Sequence, residues 1–84
     1  FVGVDGIDVE RGITDDDPAE AAIHQAMIKQ AKQKIVVTDH TKIGKVETSL
    51  IWTTKGLDTF ITDKAASDSQ IAPFQELAID VLKA

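Results

Sequence analysis

Two short runs of apolar and β-branched residues, Phe1-Val2-Gly3-Val4 and Ile35-Val36-Val37, flank a segment with a well-marked helix start. No other feature constrains the fold as tightly. Strand, helix and strand in succession imply a parallel pair joined by a right-handed crossover. The helix start is Asp17-Pro18-Ala19-Glu20. Asp17 is placed to cap free backbone N–H groups, Pro18 suits the first helical position, and Glu20 completes a capping-box pattern. Ala19, Ala22, Ile23, Ala26, Met27 and Gln30-Ala31 then recur at helical spacing, which predicts a helix over residues 18–32 with that stripe as its core face. Lys29, Lys32 and Lys34 gather at its end, where cations meet the negative end of the helix dipole.

Residues 6–17 are polar with two glycines and are expected to form a loop. Residues 34–38 form the second strand, and residues 39–45 a polar turn with one helical turn near Thr41 to Gly44. Leu50-Ile51-Trp52 reads equally as a short edge strand or as a loop packed on the core. Thr59-Phe60-Ile61-Thr62 is a third buried strand. After a linker over residues 64–69, Ile71, Phe74, Leu77, Ala78, Val81 and Leu82 fall at spacings of three and four, predicting a last helix. Pro73 is tolerated only in a first turn, so this helix is expected to begin at residues 70–72. The expected fold is α/β, a single domain over residues 1–84 with a short, mostly parallel sheet and flanking helices.

Composition narrows the functional classes. With 43% hydrophobic and 27% charged residues the chain can form a core, although a domain of 84 residues is small enough for its stability to be marginal. Residues 1–20 carry seven acids against the single Arg11, and the lysine-rich stretch from Lys29 to Lys45 is short, so no broad basic face for nucleic acid is expected. There is no cysteine for a disulfide or thiolate, and no apolar run long enough to span a bilayer. A cytoplasmic location is expected.

In open parallel sheets ligands bind beyond the carboxyl ends of the strands. That rule selects Asp5 to Asp8, Asp39 to Gly44, and Asp63-Lys64, of which the first two are richer. Asp5 and Asp8, with Gly6 between them, offer carboxylates for sugar hydroxyls. Asp39, Thr41 and Lys42 offer a carboxylate, a hydroxyl and an ammonium within one turn, a pattern suited to phosphate. Each has a plainer reading: Asp-Gly is a common turn pair whose aspartate caps the next turn, and a lone lysine is usually solvated. His24 is read as a satisfied or exposed helical histidine. His40 has no second histidine or cysteine at metal-ligand spacing, so no metal site is expected. No nucleophile elbow, Ser-His-Asp pattern or glycine-rich nucleotide loop occurs, and no cofactor is expected.

Taken in order, Phe1-Val2-Gly3-Val4-Asp5-Gly6-Ile7-Asp8, Gly12-Ile13-Thr14-Asp15, Ala26-Met27-Ile28, the run from Ile35 through Asp39-His40-Thr41-Lys42 to Gly44, and Leu57-Asp58-Thr59-Phe60-Ile61-Thr62-Asp63 resemble the C-terminal domain of the DeoR family of bacterial repressors of sugar metabolism. The resemblance implies a ribose-5-phosphate isomerase and coenzyme A transferase-like, Rossmann-like fold that senses a phosphorylated sugar. DNA contact is then the task of an N-terminal winged helix-turn-helix that lies outside these 84 residues. It also implies that the chain is the second half of a sensor domain about twice its length, within the usual size of one domain. Asp5-Gly6-Ile7-Asp8 stands where the isomerase has an active-site Asp-Gly-Ala-Asp motif, and Asp39-His40-Thr41-Lys42 is similar to its later Asp-Ala-Ser-Lys segment. The isomerase's lysine and glycine-rich stretch are replaced here by Glu10-Arg11-Gly12-Ile13-Thr14. Isomerisation would lack its stabilising donors, so binding without catalysis is expected. The alternatives are a sugar-phosphate isomerase fragment and an oligomerisation module without a working pocket. A homo-oligomer is expected, because a sheet edge left unpaired favours association.

Overall fold

The computed structural model describes residues 1–84. Seven strands and two helices follow one another as β1 (Val2–Gly3), β2 (Gly6–Asp8), β3 (Gly12–Asp15), α1 (Pro18–Gln30), β4 (Ile35–Val37), β5 (Ser49–Trp52), β6 (Thr59–Thr62), α2 (Asp68–Glu76) and β7 (Asp80–Lys83). Single 3-10 turns at His40–Lys42 and Thr54–Gly56 precede β5 and β6. One sheet is wholly parallel in the order β1-β4-β6-β7, and the other is antiparallel in the order β2-β3-β5. The expected α/β class and parallel crossover are present.

Burial follows register in the parallel sheet. Val2, Val36, Phe60 and Val81 stand side by side, the first three buried and Val81 half-buried against the common core. The adjacent row, Gly3, Val37, Ile61 and Leu82, lies on the opposite face, and Leu82 is 50% exposed. The antiparallel sheet and both helices contribute Ile7, Ile13, Ile51, Ile28 and Phe74 to the core on the first face. Parallel sheets are ordinarily covered on both faces, and here one face is open.

Three local expectations are corrected, and one left open is resolved. Residues 6–17 are not a loop, because β2 and β3 pair as a hairpin within them. The Asp8 carboxylate accepts from the Glu10 and Arg11 amides at 3.0 and 2.7 Å and so closes the turn. Of the two readings of Leu50-Ile51-Trp52 the edge strand holds: residues 49–52 pair with β3, and the register skips Ile51 in a β-bulge. The predicted stripe of α1 is not its core face: Ala21 and Ile28 are buried, whereas Ile23 is 60% exposed. Core contact from β3 and β5 falls on the other side of the helix.

The last helix is also shifted. It starts at Asp68, because Ser67 and Gln70 form a reciprocal capping box, with the Gln70 amide donating to Ser67 Oγ and the Ser67 amide to Gln70 Oε1. Pro73 therefore lies beyond the first turn. The helix stops at Glu76, where Ala78 takes φ 62° and the Ile79 and Ala78 amides donate back to the Phe74 and Gln75 carbonyls. This is a Schellman stop, with Ile79 packed into the same core as Phe74. Val81 and Leu82, expected on the helix, belong to β7.

Candidate functional site

The parallel sheet brings the carboxyl ends of β1, β4 and β6 together. Thr38, just past β4, donates its hydroxyl to the Val4 carbonyl at 2.8 Å and ties β4 to the end of β1. A cavity of about 280 Å³ opens beside it, lined by Val37, Thr38, Asp39, Ile61, Thr62, Asp63 and Ala84. Thr62 Oγ1 is buried without a hydrogen-bond partner, on the side of the strand that Phe60 also faces.

The turn after β4 is fixed on three sides. Asp39 caps it, its Oδ1 accepting from the Thr41 amide at 2.8 Å and from the Thr41 hydroxyl. These two bonds, the hydroxyl foremost, hold the Asp39 carboxyl below its ordinary value, with smaller help from the Lys42 and His40 charges. His40 Nδ1 lies 2.9 Å from the Asp63 carboxylate, linking the turn to the end of β6, and Gln70 of α2 donates to the His40 carbonyl at 3.2 Å. On the far side Gly44 donates its amide to the Ile7 carbonyl at 2.8 Å and Ile43 bridges Ile7, which seats the turn against β2. Lys42 is half-buried and makes no ion pair.

The six residues singled out from sequence do not all converge. Asp39 lines the cavity, and Thr41 and Lys42 occupy the turn that continues from it. Asp5, past the end of β1, holds the Asp16 amide at 2.9 Å through one carboxylate oxygen. Gly6 is required by packing, since a Cβ would sit 2.5 Å from the Lys45 carbonyl oxygen. Asp8 sits at the hairpin turn and borders a different hollow with Val9, Ile43 and Pro73. Sequence reasoning passed over Thr62 and the pairing of Asp63 with His40. The strand-end rule had marked Asp63, but nothing in the linear pattern joins it to a histidine 23 residues away.

A second acid–histidine pair lies at the start of α1. Asp15, 1% exposed, places Oδ2 2.6 Å from His24 Nδ1 and accepts from the Asp5 amide at 3.2 Å through Oδ1. It holds Asp5 and α1 in fixed relation and makes His24 a satisfied helical histidine. No group of three or more metal-ligating side chains is present. No helix is long and apolar enough to cross a membrane.

Comparison with known proteins identifies the family. The HTH-type transcriptional regulator GolR of Listeria innocua is 28% identical over 81 residues, covering 96% of this chain and 32% of the regulator. A putative aga operon transcriptional repressor of Escherichia coli O157:H7 is 30% identical over 82 residues, 98% of this chain and 30% of the repressor. An HTH-type transcriptional regulator of Haemophilus influenzae is 32% identical over 71 residues, 84% of this chain and 28% of its own length. The chain thus spans about a third or less of these relatives. The profile of the DeoR C-terminal sensor domain matches residues 1–64. The chain belongs to the DeoR C-terminal sensor-domain family.

Proposed function

We propose that this chain is the effector-binding part of a transcriptional regulator of sugar metabolism, and that it binds a phosphorylated sugar without turning it over. The observation that carries the reading is the Asp39–Lys42 turn at the carboxyl end of the parallel sheet, capped by Asp39 and tied to the end of β6 through His40 and Asp63, beside a small, largely apolar cavity. Lys42, in no ion pair, supplies an ammonium for the phosphate. Asp39 and Asp5 supply acceptors for the sugar hydroxyls, and Thr41 a hydroxyl. The relatives are named as transcriptional regulators and repressors, which supports a regulatory over a catalytic role. DNA binding belongs to a winged helix-turn-helix domain outside these residues. Effector binding shifts the regulator between states only as far as its affinity for the two differs.

Thermal unfolding against a panel of sugar phosphates, with inorganic phosphate and free sugars as controls, tests the reading. An effector at about 100 times its Kd adds roughly 2.7 kcal/mol, several degrees for a domain of this size. Lys42→Ala is expected to abolish the shift and leave the ligand-free melting temperature nearly unchanged. A shift of equal size in Lys42→Ala would remove that lysine from the site.

A further inference from the structure

Asp15, at the end of β3, is a carboxylate held out of water, 1% exposed, with no part in the turn or the cavity at the strand ends. A buried carboxylate is costly unless it is hydrogen-bonded, and an apolar side chain of similar size commonly serves stability as well. Nor does Asp15 start α1, since Asp17 caps that helix by accepting from the Ala19 amide. Its two oxygens go elsewhere. Oδ1 accepts from the Asp5 amide at 3.2 Å, and Oδ2 lies 2.6 Å from Nδ1 of His24, in the second turn of α1.

Asp5 returns the contact. Its Oδ2 accepts from the Asp16 amide at 2.9 Å, so the ends of β1 and β3 are joined in both directions, backbone to side chain each way. Asp5 is thereby held by its backbone and its side chain at once, with Oδ1 left for a ligand hydroxyl. The residue before it is Val4, whose carbonyl is tied by Thr38 to the strand end that leads into the Asp39–Lys42 turn. On the other side of Asp15, the His24 ring, 22% exposed, donates from Nδ1 and fixes the second carboxylate oxygen to α1.

We infer that Asp15 is a positioning residue of the effector site, clamped by His24 of α1 and holding the Asp5 carboxylate in the orientation that receives a sugar hydroxyl. The inference rests on the proposed binding of a phosphorylated sugar, and adds to it the route by which α1 bears on the site. A carboxylate ordered before the ligand arrives spares binding the cost of immobilising it, a factor of about two to ten in affinity for one side chain. The gain passes through Asp5, so removing Asp15 or His24 weakens binding only while Asp5 is present.

A double-mutant cycle on the whole chain tests this, with thermal melts confirming that each variant is folded. The probes are ribose 5-phosphate, glucose 6-phosphate and fructose 6-phosphate, with inorganic phosphate as control. Asp15→Ala is expected to weaken binding of the responding sugar phosphate about three- to tenfold. His24→Ala, a milder change at a partly exposed position, is expected to weaken it about two- to threefold. Asp15→Asn keeps an acceptor for the Asp5 amide and a donor for the other imidazole tautomer, and is expected to bind within about twofold of the wild type. In an Asp5→Ala background neither alanine substitution is expected to weaken binding further. The full loss persisting in that background, or unchanged affinity in His24→Ala and Asp15→Ala, would overturn the inference. A ligand-free signal separates it from binding itself. The Asp5 carboxyl carbon resonance is expected to move in His24→Ala, although His24 makes no hydrogen bond to Asp5. If it stays in place, this inference fails alone. If it moves and no sugar phosphate binds the wild type, the proposed function fails and takes the ligand's part of the inference with it.

Discussion

Ala78 bears a conformation that its side chain disfavours. It ends α2 at φ 62°, the left-handed region in which a Cβ costs about 1–2 kcal/mol. Ala78→Gly is therefore expected to stabilise the chain by about 0.5–1 kcal/mol, the relief being partly offset by glycine's larger entropy when unfolded. A urea midpoint that rises with an unchanged slope checks it, and a fall would contradict the assignment of this stop. The same residue explains why the end of α2 was not legible. Leu77, Ala78, Val81 and Leu82 continue the helical spacing, and no glycine marks the break.

Asp39 is the second residue with a distinct prediction. Its carboxyl is held below 3.8 first by the Thr41 hydroxyl, then by the Thr41 amide. A group whose folded value is depressed contributes stability that is present above the unfolded value and lost as pH falls through the folded one. Its contribution therefore disappears below pH 3.8, in the acid limb only. A carboxyl NMR titration is expected to give a midpoint below 3.8 that moves back up in Thr41→Val. A midpoint indifferent to that substitution would show that the hydroxyl bond does not set it. The turn itself was legible, because Asp39 and Thr41 carry the cap in adjacent letters. Its attachment to Asp63 through His40 was not, since it depends on the separation of β4 and β6.

Among the elements, those that rest on local chemistry could be read and those that rest on pairing could not. The start of α1 was legible because Asp17 and Pro18 act within one turn, and the structure has Asp17 accepting from the Ala19 amide. Strands β1, β4 and β6 were legible as apolar runs. The β2–β3 hairpin was not, because its two strands hold only Ile7 and Ile13 as large apolar residues among glycines and acids. The orientation of α1 was misread for a related reason: a helix with apolar residues on two sides does not say which one meets the core. The end of α1 depends on Lys34, whose ammonium donates to the Ile28 and Ala31 carbonyls at 2.9 Å each and lies 5.5 Å from the Trp52 ring centroid. Lys34→Met keeps the stem and removes these bonds, and is expected to cost about 1–2 kcal/mol by chemical denaturation. At the other helix, Ser67→Ala removes one half of the capping box and is expected to cost about 1 kcal/mol. A loss below a few tenths in either would mean that water replaces the bonds without penalty.

The whole molecule is arranged around one core, with the antiparallel sheet and both helices on one face of the parallel sheet and the other face open. A connected polar region lies at the carboxyl end of that sheet, where Thr38 and the His40–Asp63 pair tie one strand end to the next and Asp39 caps the turn between them. The rule that ligands bind beyond strand ends follows from topology, and so the place where the fold joins the ends of β1, β4 and β6 was legible once the parallel pair was recognised. Which carboxylates lie at those strand ends was not. Asp5 and Asp8 differ by three positions, yet one lies past a strand end and the other closes a hairpin.

The central claim is that a phosphorylated sugar binds at this end of the sheet, beside the Asp39–Lys42 turn. Amide chemical-shift mapping of the isotope-labelled chain, titrated with sugar phosphates against inorganic phosphate and free sugars, tests it most directly. Saturable shifts confined to Thr38 through Lys42, Thr62, Asp63 and the end of β1, and lost in Lys42→Ala, are the predicted result. Saturable shifts clustered elsewhere, or no shifts with any sugar phosphate, would contradict it.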